Sequence, residues 1–260
     1  MMCEYLNKMN ENDFNDFMYG GVFLGTALVQ KRGSIGGTRY VFVKLQGIKN
    51  QFVFPTTGGV VQNPFQGRGK MYAGDLVEYR YNGGTTNDSD NAVVILMKTF
   101  EVAKIVEAAG TEVLIARTGY RHIPEVGNIL MKAPDTLDGT GTSATVTAVE
   151  ATTDAGSDVW KLTLSAAIGA LAVGDVLVEG TKAGADDKML VQNPNAMLPC
   201  DYDFSYIPAK NEDDWDGAIY MLTPTLGGTA YIHRMSPMPP AVLKERNVSL
   251  VKGWFTLRAN

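Results

Sequence analysis

β-branched and aromatic residues occur in short runs along this chain, and Gly, Pro, Asn and Asp separate the runs. This pattern is typical of all-β proteins, because turn residues must end one strand before the next begins. Thr38–Leu45 and Gln51–Phe54 are apolar on both faces, which predicts interior strands. Asp75–Tyr81, Ala144–Thr152 and Val159–Leu164 alternate between apolar and polar residues, which predicts strands with one buried face.

The remaining strands are predicted from the second half of the chain. They are Gly217–Thr223, Thr229–Arg234 and Val248–Leu257, in a region whose prolines forbid long helices. Thr152–Asp158 (TTDAGSD) is a turn by composition. Lys98–Ala109 fits either a helix or a long strand, and we favour the strand because of its β-branched content.

One short pattern occurs three times, as YAGDLVEY from Tyr72, EVGNILMK from Glu125 and AVGDVLVE from Ala172. In each copy we expect Gly to adopt a backbone angle that other residues resist, and the next Asp or Asn to bond the amides of its own turn. An apolar strand then begins. Since the spacings are unequal, recurring turn chemistry is favoured over a true repeat.

Composition divides the chain into regions. Residues 99–184 are rich in Ala, Thr, Val and Gly, whereas Tyr, Phe, Trp, Met and Pro are frequent outside them. We therefore predict a mainly β fold of small β-barrel or sandwich domains, with 99–184 inserted into a domain made of 22–98 and 185–260. Domains that follow one another along the chain are the alternative. Residues 1–21 are predicted to be either a frayed terminus or a short N-terminal arm, in which Leu6, Met9, Phe14 and Phe17 form one thin apolar face that orders on a partner.

Charge and composition exclude several classes of protein. The net charge of −5 and the lack of a Lys/Arg-rich run argue against nucleic-acid binding. The N-terminus has no apolar signal region, and no uncharged run approaches the length of a membrane span. Two cysteines, Cys3 and Cys200, make no disulfide framework, which indicates synthesis in a reducing compartment.

No catalytic constellation is evident. The two histidines, His122 and His233, lie far apart in the sequence, and the G-x-S-x-G elbow of serine hydrolases is absent, so both are interpreted as structural. Gly139–Ala144 matches G-x-G-x-x-A, but a strand rather than a helix is predicted after it, so no dinucleotide cofactor is expected.

Two sets of residues have weaker functional interpretations. Glu212, Asp214 and Asp216 alternate before Gly217 as in a calcium loop, although an acidic turn is favoured because the twelfth position is Thr rather than Glu. Four aromatic residues could form a protein interface or a sugar-stacking surface, although plain packing is favoured. They are Tyr202, Phe204, Tyr206 and Trp215.

Several phrases of this chain resemble accessory head proteins of tailed bacteriophages, the head-fibre and capsid-decoration class. The phrases are YAGDLVEYRYNG, KTFEVAK, GYRHIPEVGNILMKAPDTLDGTG, VWKLTLSAAIGALAVGDVLVEG, LVQNPNAMLPCDYDF and YIHRMSPMPPAVLKERNVSLVKGWF. The resemblance covers most of the chain after about residue 60 and is one of texture and phrase rather than of an invariant motif.

The resemblance implies a non-enzymatic virion protein on the outer surface of the head, made in the host cytoplasm and without cofactors. Its implied partner is the major capsid protein. It also implies a homo-oligomer, with a trimer among the candidates, and no contact with nucleic acid or membrane. A carbohydrate-binding adhesin or a tail or baseplate module is the alternative, and an enzyme comes third.

Overall fold

The computed structural model describes residues 55, 58–65, 69–81, 92–105, 110–118, 121–204, 221–231, 235–245 and 254–258. These residues are mainly β, with sixteen strands and one short helix, α1 (Pro240–Glu245). Their contacts divide them into two compact units. Unit 1 holds the described residues up to Leu96, Pro194–Met235 and those after Arg246, and unit 2 holds Met97–Asn193 and Ser236–Glu245.

The predicted domain boundaries stay a prediction, as does the N-terminal arm, which lies outside the described residues. The structure adds one grouping that no sequence pattern indicated. Ser236–Glu245 belongs to unit 2, where Ala241 packs with Met131 and Val178 in a small apolar cluster. Unit 2 is therefore assembled from two separate stretches of the chain.

Unit 1 contains a five-stranded sheet with the order β12-β3-β4-β1-β14 and two pairs of strands, β2 with β13 and β15 with β16. The bounds are β1 Gly59–Val61, β2 Lys70–Met71, β3 Leu76–Tyr81, β4 Ala92–Leu96, β12 Ala196–Met197, β13 Tyr202–Asp203, β14 Met221–Leu222, β15 Gly227–Tyr231 and β16 Trp254–Arg258. The predicted strand at 75–81 is confirmed as β3. Val77 is fully buried in the core and Tyr79 packs against it, as the alternation predicts. The prediction of a single buried face is wrong for this strand, because Leu76 and Glu78 on its other face are buried too.

Unit 2 contains a seven-stranded sheet with the order β11-β8-β7-β10-β5-β6-β9, in which β8 also pairs with β9. The bounds are β5 Thr99–Ile105, β6 Glu112–Ala116, β7 Ile129–Lys132, β8 Thr140–Asp154, β9 Ser157–Leu164, β10 Val176–Glu179 and β11 Gly184–Lys188. The long strand β8 reaches both β7 and β9 because its register shifts at Val146, so its two halves pair with different neighbours. The preference for a strand over a helix at the start of 98–109 is confirmed by β5.

The predicted turn in 152–158 is confirmed as the tip of the β8–β9 hairpin. Asp154 pairs with Ser157, and the two residues between them, Ala155 and Gly156, have φ angles of 48° and 84°. Positive φ at both central positions is the pattern of a type I′ turn, whose twist matches that of the flanking strands. On β9, Leu162 and Leu164 are buried and Trp160 packs beside them, as predicted.

The pairings among strands β5 to β10 of unit 2 stay the same when β5 is exchanged with β8, β6 with β9 and β7 with β10. We call this relation the two-fold pattern. The exchange converts the pair Phe100↔Leu177 into the pair Ala144↔Leu130, and it leaves the pair Met131↔Val178 unchanged at the centre. The register shifts are equivalent too, at Val102 in β5 and at Val146 in β8. Residues of the two halves can therefore be compared position by position.

The three recurring turns have the same hydrogen bonds, and we call each one, together with its strand partner, a turn clamp. The central residues Gly74, Gly127 and Gly174 have φ between 86° and 94°. In each clamp the next Asp or Asn accepts a bond from the first amide of the turn through its side chain. The Gly amide donates to the carbonyl of a distant residue, whose own amide donates back to the Asp or Asn carbonyl. These distant residues are Leu198, Val146 and Val102, respectively.

The turn clamps confirm the predicted roles of Gly and of Asp or Asn. They also correct the preference against a repeat for two of the copies. The turns at 125–128 and 172–175 occupy equivalent positions in the two-fold pattern, because Gly127 bonds Val146 and Gly174 bonds Val102. Loop lengths can differ between the halves of a repeat without altering the strand pairing, so unequal spacing along the chain does not argue against a repeat.

The composition of unit 2 predicts independent folding. A fragment of residues 97–193 should show a β-type circular dichroism spectrum and one cooperative thermal transition, because the apolar cluster inside its sheet is complete. Joining residues 236–245 through a flexible linker should raise the transition temperature, since this adds Ala241 to the outer cluster. A fragment without a cooperative transition would contradict the prediction.

Candidate functional site

Most residues singled out from the sequence lie outside the described part of the chain, and their roles stay predictions. They are Leu6, Met9, Phe14, Phe17, Tyr206, Glu212, Asp214, Trp215, Asp216 and His233. Tyr202 and Phe204 are described, and both are buried in the core of unit 1. The ring centroids of Phe204 and Phe65 lie 5.6 Å apart. Tyr202 and Phe204 therefore pack in the core, which is the interpretation that the sequence favours for them.

His122 has a serine beside it that the sequence did not suggest. The Oγ atom of Ser236 lies 3.3 Å from Nε2 of His122, and both side chains are buried. The His122 ring follows β6 in a loop and meets the edge of Phe100. Its other nitrogen, Nδ1, accepts a hydrogen bond from the amide of Thr99 at 2.8 Å.

The bond from Thr99 determines which nitrogen of His122 holds the proton. A ring nitrogen that accepts a hydrogen bond carries no proton, so the neutral ring is protonated at Nε2. Nε2 then donates to Ser236 and cannot remove a proton from it. A nucleophilic serine needs the opposite arrangement, with a carboxylate on Nδ1 and a free lone pair on Nε2. This pair therefore supports the structural interpretation of His122.

A second group of polar side chains lies in unit 2, and we call it the polar cluster: Lys98, Glu125, Asn128 and Glu179. Oε1 of Glu179 accepts hydrogen bonds from Nζ of Lys98 at 3.3 Å and from Nδ2 of Asn128 at 2.9 Å. Oε2 of Glu125 lies 4.0 Å from Nζ of Lys98. The side chain of Lys98 is only 2% exposed and that of Glu179 is 10% exposed.

Regular elements hold each member of the polar cluster in place. Lys98 directly precedes β5, and Glu179 is the last residue of β10, opposite Leu130 of β7. Asn128 is the last residue of a turn clamp, and its Oδ1 accepts the amide of Glu125 at 2.8 Å. A buried amine, amide and carboxylate thus meet at the ends of strands whose register is set by the sheet.

The two-fold pattern supplies a comparison for this site. Asp175 occupies the position equivalent to Asn128, and Lys132 the position equivalent to Glu179. Their side chains form an ion pair at 2.7 Å, but that of Lys132 is 44% exposed. The same backbone positions therefore carry a surface ion pair in one half and a buried amide–carboxylate contact in the other.

Sequence reasoning missed the polar cluster because its members lie far apart in the chain. For Asn128 the sequence does indicate a role, that of a turn residue. Lys98 lies between the apolar run AVVILM and Phe100, and a lysine in an apolar stretch of this kind indicates a buried charge. Nothing in the sequence indicates that Glu179 meets either of them, since strand order decides that contact.

Asp187 is a further carboxylate of unit 2, and it is buried. It is 1% exposed, and its Oδ1 accepts bonds from the hydroxyl and the amide of Thr181 and from the amide of Lys182. Burial by itself raises the pKa of Asp187. Hydrogen bonds from Thr181, Ser143 and the amides of Lys188 and Lys182 outweigh burial and hold the pKa below its ordinary value. The carboxylate thus organises the loop between β10 and β11.

Among the described residues, no three His, Cys, Asp or Glu side chains group closely enough to hold a metal ion. No helix in that part of the chain is long and apolar enough to cross a membrane. The G-x-G-x-x-A match at 139–144 runs directly into β8, without the helix that a dinucleotide site requires.

Comparison with known proteins gave no relatives. No protein-family model, no curated protein and no solved structure matches the chain.

The role of His122 can be tested with two substitutions. In His122→Asn the side-chain oxygen lies near the position of Nδ1 and can still accept a hydrogen bond from the Thr99 amide. In His122→Leu the side chain keeps more of the volume of His but has no hydrogen-bond acceptor. We expect His122→Leu to have the lower free energy of unfolding, by about 1–3 kcal/mol, because the buried amide loses its partner. Urea unfolding measures the difference, and equal stabilities for the two variants would contradict the assigned hydrogen bond.

The Asp187 carboxylate should make stability depend on pH. Because its folded-state pKa is lowered, its contribution is present above the unfolded pKa of about 3.9 and is lost as pH falls through the folded value. Asp187→Asn should reduce the free energy of unfolding by about 1–3 kcal/mol at pH 7 and by less in acid. The matched control is Asp186→Asn at an exposed neighbour with a φ of 53° that Asn tolerates. A deficit of Asp187→Asn that stays constant in acid would refute this role.

Proposed function

We propose that this chain is a non-enzymatic structural protein of a tailed-bacteriophage virion, which decorates the outer surface of the head or forms fibres on it. It binds the major capsid protein as a homo-oligomer. The resemblance of its phrases to accessory head proteins motivates the proposal, and the mainly β fold is compatible with it.

One structural observation carries the non-enzymatic part of this proposal. The described pair that most resembles catalytic machinery, His122 and Ser236, is buried, and the Thr99 amide holds the ring in the tautomer that cannot activate the serine. His122 and Ser236 thus serve to bond the chain to itself. This arrangement suits a scaffold better than a substrate site.

The attachment surface is proposed to be the N-terminal segment together with unit 1, and not unit 2. Leu6, Met9, Phe14 and Phe17 are too few to form a core alone, but they could be buried against a shell. Unit 1 carries most of the Tyr, Trp and Met, which interfaces favour. Many copies on a symmetric shell would gain avidity, so each contact can be modest.

A carbohydrate-binding or tail module remains the alternative function. Two of the four aromatic residues that suggest sugar stacking, Tyr202 and Phe204, lie in the core of unit 1 rather than on a surface, which weakens the argument for carbohydrate binding. Only Tyr206 and Trp215 remain as stacking candidates. A glycan array with the full chain separates the two functions, since specific glycan binding would favour the adhesin.

Co-sedimentation with phage heads assembled without this chain tests the attachment. Substituting Leu6, Met9, Phe14 and Phe17 by Ser should weaken binding by at least about tenfold, because buried apolar contacts are lost. The matched control is Val126→Ser with Val173→Ser, which changes two apolar side chains of unit 2 that are 64% and 68% exposed. The control should bind like the unchanged chain.

Two outcomes of this experiment would count against the proposal. If the unchanged chain does not sediment with heads at any concentration, the decoration function is wrong. If the Val126/Val173 variant fails to bind while the N-terminal variant binds normally, unit 2 holds the attachment surface.

A further inference from the structure

We propose that the side chains of Lys98 and Asn128 join to form an intramolecular isopeptide bond, and that Glu179 catalyses the reaction. The chemistry is the attack of a lysine amine on a side-chain amide, with release of ammonia. This modification goes beyond the proposed function and does not depend on it. It rests on two buried side chains of unit 2, Lys98 and Asn128, on the 10% exposed side chain of Glu179 and on one backbone amide.

Glu179 contacts both reacting groups. Its Oε1 accepts a hydrogen bond from Nζ of Lys98 at 3.3 Å and from Nδ2 of Asn128 at 2.9 Å. The same carboxylate oxygen thus holds both the nucleophile, Nζ of Lys98, and the leaving group, Nδ2 of Asn128. A group that moves a proton from one nitrogen to the other must contact both of them, as Glu179 does. Nζ must then approach Cγ of Asn128 to about 3–3.5 Å, a motion within the reach of a lysine side chain.

The Asn128 amide is also held as an electrophile. Its Oδ1 accepts the backbone amide of Glu125 at 2.8 Å. When an amine attacks Cγ, negative charge develops on Oδ1, and an amide donor already aimed at that oxygen stabilises it. The turn clamp provides this donor as part of the fold, since the first amide of the turn always bonds the side chain of the fourth residue.

The reaction balances without any added reagent. The Lys98 ammonium gives a proton to Glu179 and becomes a neutral amine, which attacks Cγ of Asn128. The bond from Nζ to Cγ forms, and the bond from Cγ to Nδ2 breaks. Glu179 then delivers that proton to Nδ2, which leaves as ammonia, and takes the second proton from Nζ. Glu179 therefore ends the reaction protonated and gives this last proton to solvent. One amine and one primary amide become one secondary amide and ammonia, with no oxidant or reductant.

Burial favours attack by the amine over attack by water. Lys98 is 2% exposed and Asn128 is 8% exposed, so bulk water has little access to Cγ. The Lys98 amine, held beside Asn128 by Glu179, is therefore the nucleophile with access to this amide.

The equivalent positions in the other half of unit 2 serve as an internal comparison. There Asp175 takes the place of Asn128, and Lys132 takes the place of Glu179 rather than of Lys98. Lys132 and Asp175 lie 2.7 Å apart, but the lysine side chain is 44% exposed and the group beside it is a carboxylate instead of an amide. An ionised carboxylate has no ammonia to lose and resists nucleophilic attack. This exposed pair should therefore remain an ion pair.

Intact-mass spectrometry of the purified full chain tests the proposal. The expected mass is lower than the sequence mass by one ammonia molecule. Trypsin should fail to cleave after Lys98, and residues 81–104 should be recovered covalently linked to residues 122–132. Lys98→Arg and Glu179→Gln should both have their full sequence masses and give no linked peptides. The matched control Lys132→Arg should keep the linkage.

Two results would overturn the proposal. The first is a full-chain mass equal to the sequence mass, with separate tryptic peptides, after days of incubation at 37 °C in the folded state. The second is a loss of ammonia that persists in Lys98→Arg, because this would place the loss in a cyclisation of an asparagine rather than in a cross-link. Circular dichroism of Lys98→Arg and Glu179→Gln shows that their lack of linkage is not caused by unfolding.

Discussion

The turn clamp is the interaction on which the described structure depends. A glycine with positive φ turns the chain, the next Asp or Asn bonds the first amide of the turn, and the glycine amide pairs with a residue from a distant strand. The partners Leu198, Val146 and Val102 are all buried. Each clamp therefore joins a local turn to a long-range strand contact at the point where a buried strand begins, which sets the register of that strand.

In unit 2 two clamps related by the two-fold pattern hold different chemistry. The pair Asp175 and Lys132 lies at the surface, while Asn128 and Glu179 are covered and are joined by Lys98. Exposed ion pairs contribute little to stability, because solvent screens them. A buried amine, amide and carboxylate are costly to desolvate, and such groups need either full hydrogen bonding or a chemical role. A covalent bond between the first two would remove that cost permanently.

The proposed virion function and the proposed cross-link are compatible in physical terms. A protein on the outside of a particle is held by many modest contacts, so each subunit gains from resisting local unfolding. A bond from Lys98 to Asn128 would tie the start of β5 to the start of β7 and restrict the unfolded chain, as a disulfide does.

The sequence by itself determined the features that depend on neighbouring residues. The mainly β class, the positive φ of Gly74, Gly127 and Gly174, the turn at Ala155 and the buried face of β9 all follow from local conformational preferences and alternation. Alternation shows which face of a strand is buried, but not which strand lies beside it. Only the tertiary structure decided that β7 lies beside β10 and that Ser236 meets His122. It alone placed Lys98, Asn128 and Glu179 together, because those contacts depend on strand order and register rather than on any neighbour in the chain.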